Sequence, residues 1–266
     1  MRRGLSCTDK RVINYIVCTL TSFCHLNNPT TRAFCRDALK DESHYRKNVL
    51  PKVYAAVKQK ILAKINEFEH LSFTTDIWSG PKDSYISLTA HGISKNWEKR
   101  SFVLSVSAFP GSHTGDRINE VVRGLLKSWD IPLSKTHIDQ SPSAKRQRSC
   151  AAFLFDAFEE IMSSTSAAQQ HSQPDLRSEF MDYAARPREP LIANPLEFWR
   201  SAEKELPLMS QAARRFLSPP CTSVLSEQIF SSARDLFHYR RMRTGPKKAE
   251  MILFLQRALP IINYKY

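Results

Sequence analysis

Between residues 51 and 109 the hydrophobic pattern changes period, and that change limits the fold more than any other feature of the chain. Val53, Tyr54, Val57, Ile61, Ile65 and Phe68 recur at helical spacing, with Lys and Gln on the other side, so 51–68 reads as an amphipathic helix. Pro51 is compatible with its first turn. From Leu71 the period is two. Leu71, Phe73 and Ile77 share one face of a first strand, and Ser84–Ser94 is rich in β-branched and aromatic residues. Ser101–Phe109 alternates Phe102, Leu104 and Val106 against Val103 and Ser105. Turn chemistry at Ser79-Gly80-Pro81 and Lys95-Asn96 separates the three runs, which predicts an antiparallel three-strand meander.

Helices surround it. Val12, Ile13, Ile16, Val17 and Leu20 mark one over 9–24, with Asp9 as its expected cap. Residues 25–44 are polar and read as a loop with a short helix. After the loop Pro110–Gly115, a helix runs from Asp116 to Trp129, carrying Ile118, Val121, Val122, Leu125 and Leu126. Residues 139–150 are linker-like, Ala151–Met162 is a short apolar helix, and 163–176 is rich in Ser, Gln and Ala. The last third is helical over 198–205 and 207–217, again from Ser223, and finally from Pro246.

The 266 residues are 42% hydrophobic, which excludes wholesale disorder, and contain only 7 Gly, which argues against a glycine-rich nucleotide-binding fold. With 39 Lys+Arg against 26 Asp+Glu, the formal charge of +13 favours a polyanionic partner such as nucleic acid. No run of apolar residues is long enough to span a membrane. The six cysteines, at 7, 18, 24, 35, 150 and 221, lack the CxxC spacing that a zinc site needs, so no metal site is expected and the thiols read as reduced core residues. The N-terminus lacks a secretory pattern, leaving cytoplasm or nucleus.

Asp76 is the first candidate for chemistry. A carboxylate on a central, buried strand is costly unless paired, hydrated or bound to a cation; the bland alternative is a strand-end Asp facing water. The order helix, three-strand meander, helix, fourth strand is the beginning of a ribonuclease-H-like fold. There an Asp of the first strand helps hold two metal ions that clamp a phosphodiester.

Ser72-Phe73-Thr74-Thr75-Asp76-Ile77-Trp78-Ser79, followed by Tyr85-Ile86-Ser87-Leu88-Thr89-Ala90-His91, resembles the first two strands of hAT-family transposases and their domesticated zinc-finger BED-type relatives. Ser112-His113-Thr114-Gly115 and the helix ending at Trp129 are similar too. Asn194–Trp199, Pro207–Ser210, Ala212–Leu217 and Thr222–Ser231 resemble the family's C-terminal dimerisation region. The resemblance implies an α/β fold: an incomplete ribonuclease-H-like core, the antiparallel meander plus helices, followed by a helical hAT dimerisation region. The expected divisions are an N-terminal helical segment (1–44), the truncated ribonuclease-H-like domain (45–138), a linker with a short helix (139–177) and the dimerisation region (178–266). The BED zinc finger and the long helical insertion of full-length relatives have no counterpart here.

By the same resemblance, Asp76 matches the family's first catalytic carboxylate and Glu227 the third. The second, an Asp on the fourth strand, has no match, because Asp139 arrives too early and lacks the family's neighbours. Asp76 and Glu227 are then vestigial, no cofactor is expected, and Mg²⁺ enters only if catalysis is retained. Glu227 has a second reading, as a first-turn acid favoured by the helix dipole.

Arg234, Arg240, Arg241, Arg243, Lys247 and Lys248 form a basic segment suited to phosphates, or else a solvated loop. Lys145-Arg146-Gln147-Arg148 has the character of a nuclear localisation signal. Phe198, Trp199, Leu208, Phe216, Leu217, Ile229, Phe230, Met251, Phe254 and Leu255 either pack on the chain's own sheet or, as the resemblance implies, form a dimer interface. Three readings follow. The first is a non-catalytic nuclear protein that pairs with itself or with full-length hAT relatives, binds DNA non-specifically and acts in transcription regulation. The second is an active metal-dependent transposase or nuclease. The third is a truncated remnant that poisons intact relatives through mixed dimers.

Overall fold

The structure is a computed structural model, and it describes residues 5–35, 39–79, 84–131, 175–237 and 245–266. Helix α1 (Cys7–Thr19) begins at Ser6, whose Oγ accepts from the Asp9 N–H at 3.0 Å. The cap is therefore Ser6 and not Asp9, which lies inside the first turn. Asp9 is buried instead against Lys40 Nζ at 3.1 Å and His44 Nε2 at 3.8 Å. Burial pushes its carboxyl up, but the Ser6 hydrogen bond and the charges of Lys40 and His44 outweigh that and hold it below its ordinary value.

Residues between α1 and the next long helix form short turns: a 3₁₀ turn (Phe23–Asn27), α2 (Pro29–Phe34), α3 (Glu42–His44) and a π turn (Tyr45–Val49). Helix α4 (Leu50–Asn66) follows with Pro51 in its first turn. Its stripe Val53, Val57, Ile61 and Ile65 is fully buried, as the helical spacing predicts.

Strands β1 (Ser72–Ser79), β2 (Ser84–Ile93) and β3 (Lys99–Ala108) form one antiparallel sheet in the order β1-β2-β3. The expected meander is present. Its central strand is β2, buried from Tyr85 to Ile93, whereas β1 lies at an edge of this sheet and is only partly covered. Gly92 lets Phe68 approach closely: a Cβ there would lie 2.6 Å from Phe68 Cδ1. Phe68 in turn meets Phe102 edge-on at 5.7 Å.

Helices α5 (Gly115–Ser128), α6 (Leu176–Ala185), α7 (Pro195–Ala202), α8 (Pro207–Phe216), α9 (Val224–Phe237) and α10 (Pro246–Ile261) complete the described chain. Helix α6 was not anticipated from the sequence. Two apolar cores result. The larger joins α1, α4, the sheet, α5, α9 and α10; in it Phe254 meets Tyr54 edge-on at 5.1 Å and Trp129 at 5.6 Å. The smaller gathers Leu176, Trp199, Ala202, Leu206, Met209 and Ala213 against Ile93 and Trp97.

Trp97 fastens the smaller core to the sheet. It sits in the β2–β3 turn at φ 61°, a left-handed conformation that costs a bulky residue free energy. Its indole Nε1–H donates to Glu203 Oε2 at 2.9 Å, and Arg214 covers the ring at 4.3 Å while pairing with Glu203 Oε1 at 2.6 Å. Glu179 of α6 supplies another tie, accepting the Met209 N–H at 2.9 Å and so satisfying an otherwise orphaned donor at the start of α8.

The thiols depart from expectation. Cys7, Cys18, Cys24 and Cys221 are free but exposed, and Cys35 is half-buried. The apolar stripes close without them, so sulfur is left at the surface. Cys150, the linker 139–150, the helix expected at Ala151–Met162, the Lys145–Arg148 run and Asp139 lie outside the described residues.

Candidate functional site

Along β1, side chains at 72, 74, 76 and 78 share one face. The register sets Ser72 opposite His91, Thr74 opposite Thr89, Asp76 opposite Ser87 and Trp78 opposite Tyr85. Directly paired residues in an antiparallel ladder project to the same side. One face of the β1–β2 pair is therefore a stripe of hydroxyls, one imidazole and one carboxylate, ending in two aromatic rings.

The upper part of the stripe is closed on itself. His91 is 1% exposed. Its Nε2 lies 2.8 Å from Thr89 Oγ1 and 3.2 Å from Thr74 Oγ1, and its Nδ1 lies 2.8 Å from Ser101 Oγ. Burial, reinforced by the charge of Lys99, pushes the imidazole pKa down to about 4, so the ring is neutral at physiological pH. His91 is a hydrogen-bonding hub inside the sheet.

The lower part meets α9. Trp78 stacks on Tyr85 at 5.9 Å and on Phe230 at 6.1 Å. Ser87 Oγ donates to Ser226 Oγ at 3.3 Å and lies 3.4 Å from the Asp76 carbonyl oxygen. Ser226 directly precedes Glu227, so this contact brings the segments bearing Asp76 and Glu227 to the same side of the sheet.

The two acids are not arranged as a ligand set. Asp76 lies on the edge strand, not on a central one, and is half-buried. Its Oδ1 accepts the adjacent Ile77 N–H at 2.9 Å. Glu227 is exposed in the first turn of α9, and its Oε1 accepts from Ser223 Oγ at 2.7 Å. Among the described residues no three His, Cys, Asp or Glu side chains gather to hold a metal ion. A two-metal clamp needs several converging carboxylates, so the residues present do not fit one.

The other candidates are dispersed. Arg234 is exposed on α9; Lys247 is exposed and Lys248 half-buried in the first turn of α10; Arg240, Arg241 and Arg243 lie outside the described residues. Ile229, Phe230, Phe254 and Leu255 are buried in the larger core of this same chain, and Trp199 in the smaller one. Met251 packs on the former, and Phe198, Leu208 and Leu217 on the latter, each half-buried; Phe216 is half-buried as well. Intramolecular packing therefore takes up much of the apolar stripe of α9 and α10. The His91 network was missed in the sequence, although the alternating small polar residues Ser72, Thr74, Ser87 and Thr89 were a visible signal for it.

An α/β core with a three-strand antiparallel meander, backed by a helical C-terminal third, matches two family models. Residues 74–157 match the ZBED1 RNase-like domain, and residues 179–259 match the hAT family C-terminal dimerisation region. The chain is a hAT-transposase-derived protein. A stretch of 135 residues, 50% of this chain, is 24% identical to tpeD of Talaromyces stipitatus, whose name marks it as a candidate transcriptional regulator. The matched stretch takes in 15% of that protein's length. Among the described residues no helix is long and apolar enough to cross a membrane.

Proposed function

We propose that this chain is a non-catalytic, transposase-derived nuclear protein that pairs with a second copy or a longer hAT relative, binds DNA by charge and acts in transcription regulation. The observation that carries the non-catalytic reading is the state of the two acids. Asp76 is tied to its neighbour's N–H and Glu227 to the Ser223 hydroxyl, with no third acid beside them among the described residues. Pairing is supported by the match to the dimerisation region, and a regulatory role by the name of the fungal relative.

DNA binding rests on the formal charge of +13 and on the start of α10. Lys247 and Lys248 stand in the first turn behind Gly245 and Pro246, where the helix dipole disfavours cations and favours an anion. Two lysines there gain from a phosphate and lose without one. Such contacts give affinity without sequence choice.

The test is incubation of the purified chain with supercoiled plasmid in Mg²⁺ and in Mn²⁺, beside a salt titration of duplex binding. Salt-sensitive binding without nicking is expected. Nicking that disappears in Asp76→Ala would overturn the non-catalytic reading, and absence of duplex binding at low salt would overturn the DNA-binding one.

A further inference from the structure

Helix α6 turns its apolar side chains outward. Its buried positions are Leu176 and Glu179, whereas Phe180, Met181 and Tyr183 are 46%, 63% and 38% exposed. The loop between α6 and α7 adds Leu191 and Ile192, 105% and 97% exposed. Two adjacent aliphatic residues with no cover, beside three more exposed large side chains, mark a contact surface.

The same segment holds a cleft of about 350 Å³, bordered by Tyr183, Ala184, Pro187, Pro190, Phe198 and Trp199. Tyr183 stacks on Trp199 at 5.2 Å, and Phe198 meets Trp199 edge-on at 5.1 Å, so the wall is aromatic and braced. Its polar groups are largely committed. Arg186 pairs with Glu205 at 2.6 Å, and Asn194 Oδ1 accepts the Leu196 N–H at 3.0 Å. That leaves an apolar socket with little to orient a polar small molecule.

We infer that this patch is the face on which a second copy of the chain docks, Leu191 and Ile192 of each protomer entering the aromatic cleft of the other. A surface carrying both a projection and a socket is self-complementary about a two-fold axis. Arg188 and Glu189, adjacent exposed residues of opposite charge on the rim, complement one another under the same symmetry. The patch also lies within the span that matches the dimerisation region, and it remains uncovered where Ile229, Phe254 and Leu255 do not. The inference rests on the pairing proposed above and names its surface.

The experiment is sedimentation equilibrium of the full chain, with circular dichroism to confirm folding. A projection variant, Leu191→Ser with Ile192→Ser, and a socket variant, Ala184→Trp, alter exposed positions. The wild type is expected to dimerise, and each variant to dissociate at least about 100-fold more readily while remaining folded, as central apolar anchors dominate interfaces. Mixing the two variants leaves one intact projection–socket contact per heterodimer, so dimers are expected to reappear at intermediate affinity. A wild-type dimer unaffected by folded variants overturns this surface but not pairing, and so does failure of the mixture to recover. A wild-type monomer at micromolar concentration overturns both.

Discussion

Ser87 and Ser226 share a buried hydrogen bond, Oγ to Oγ at 3.3 Å, that joins the central strand to the helix bearing Glu227. Ser87 is fully buried and Ser226 is 3% exposed, so water cannot substitute for either hydroxyl. Here the meander and the C-terminal helices act as one unit: the contact spans residues far apart in sequence, and Trp78 stacks on Phe230 beside it.

Ser226→Ala is expected to cost about 1–2 kcal/mol, because it leaves the Ser87 hydroxyl buried with only the longer contact to the Asp76 carbonyl. For a domain of this size that lowers Tm by roughly 2–8 °C. The double variant with Ser87→Ala should cost less than the two single changes summed, since no hydroxyl is then stranded. Additive costs in a thermal-melt cycle would refute the coupling.

Asp76→Asn and Glu227→Gln should barely alter stability, within roughly 0.5–1 kcal/mol each. Asp76 is half-buried and satisfied locally, and Glu227 is exposed at a helix start. Neither change should alter the thermal response to millimolar Mg²⁺. Stabilisation of the wild type by Mg²⁺ that is lost in both variants would reveal a metal site.

His91 makes stability fall on mild acidification. Its folded pKa of about 4 lies below the ordinary 6.5, so the unfolded chain takes up a proton first as pH falls. The contribution is fully present above about pH 6.5 and is lost progressively towards pH 4. The loss amounts to something on the order of 3 kcal/mol at the lower limit. Asp9, whose carboxyl is held low, adds a further loss only below the ordinary carboxylate range. Urea midpoints from pH 7 to pH 4.5 should show the slope in wild type and a much weaker one in His91→Asn.

The larger core was legible because its period is clean. Val53, Val57, Ile61 and Ile65 repeat every turn, and β2 and β3 alternate between defined turns. Helix α6 was hidden because its pattern is inverted: it buries Glu179 as a cap for α8 and exposes Phe180 and Met181, so its period does not mark an inward face. The cap at Ser6 was overlooked because Asp9 is also a capping residue type, and only the backbone decides which comes first. Asp76 could be placed on a face by alternation. That it lies at a sheet edge, bonded to Ile77, depends on pairing that no local pattern encodes.

Arg234→Glu, or Lys247→Glu with Lys248→Glu, should weaken duplex binding by a similar factor for every sequence tested. For each phosphate no longer neutralised, the slope of log affinity against log salt should become shallower by about 0.9. The α10 pair should have the larger effect, since reversal there removes two cations from one helix start. It also leaves acids beside free N–H groups, where the dipole favours them, so thermal stability should hold or rise slightly. Electrophoretic mobility or anisotropy titrations between 50 mM and 200 mM salt separate this from a structural effect. If both reversals leave the salt slope unchanged, these residues do not touch the backbone of DNA.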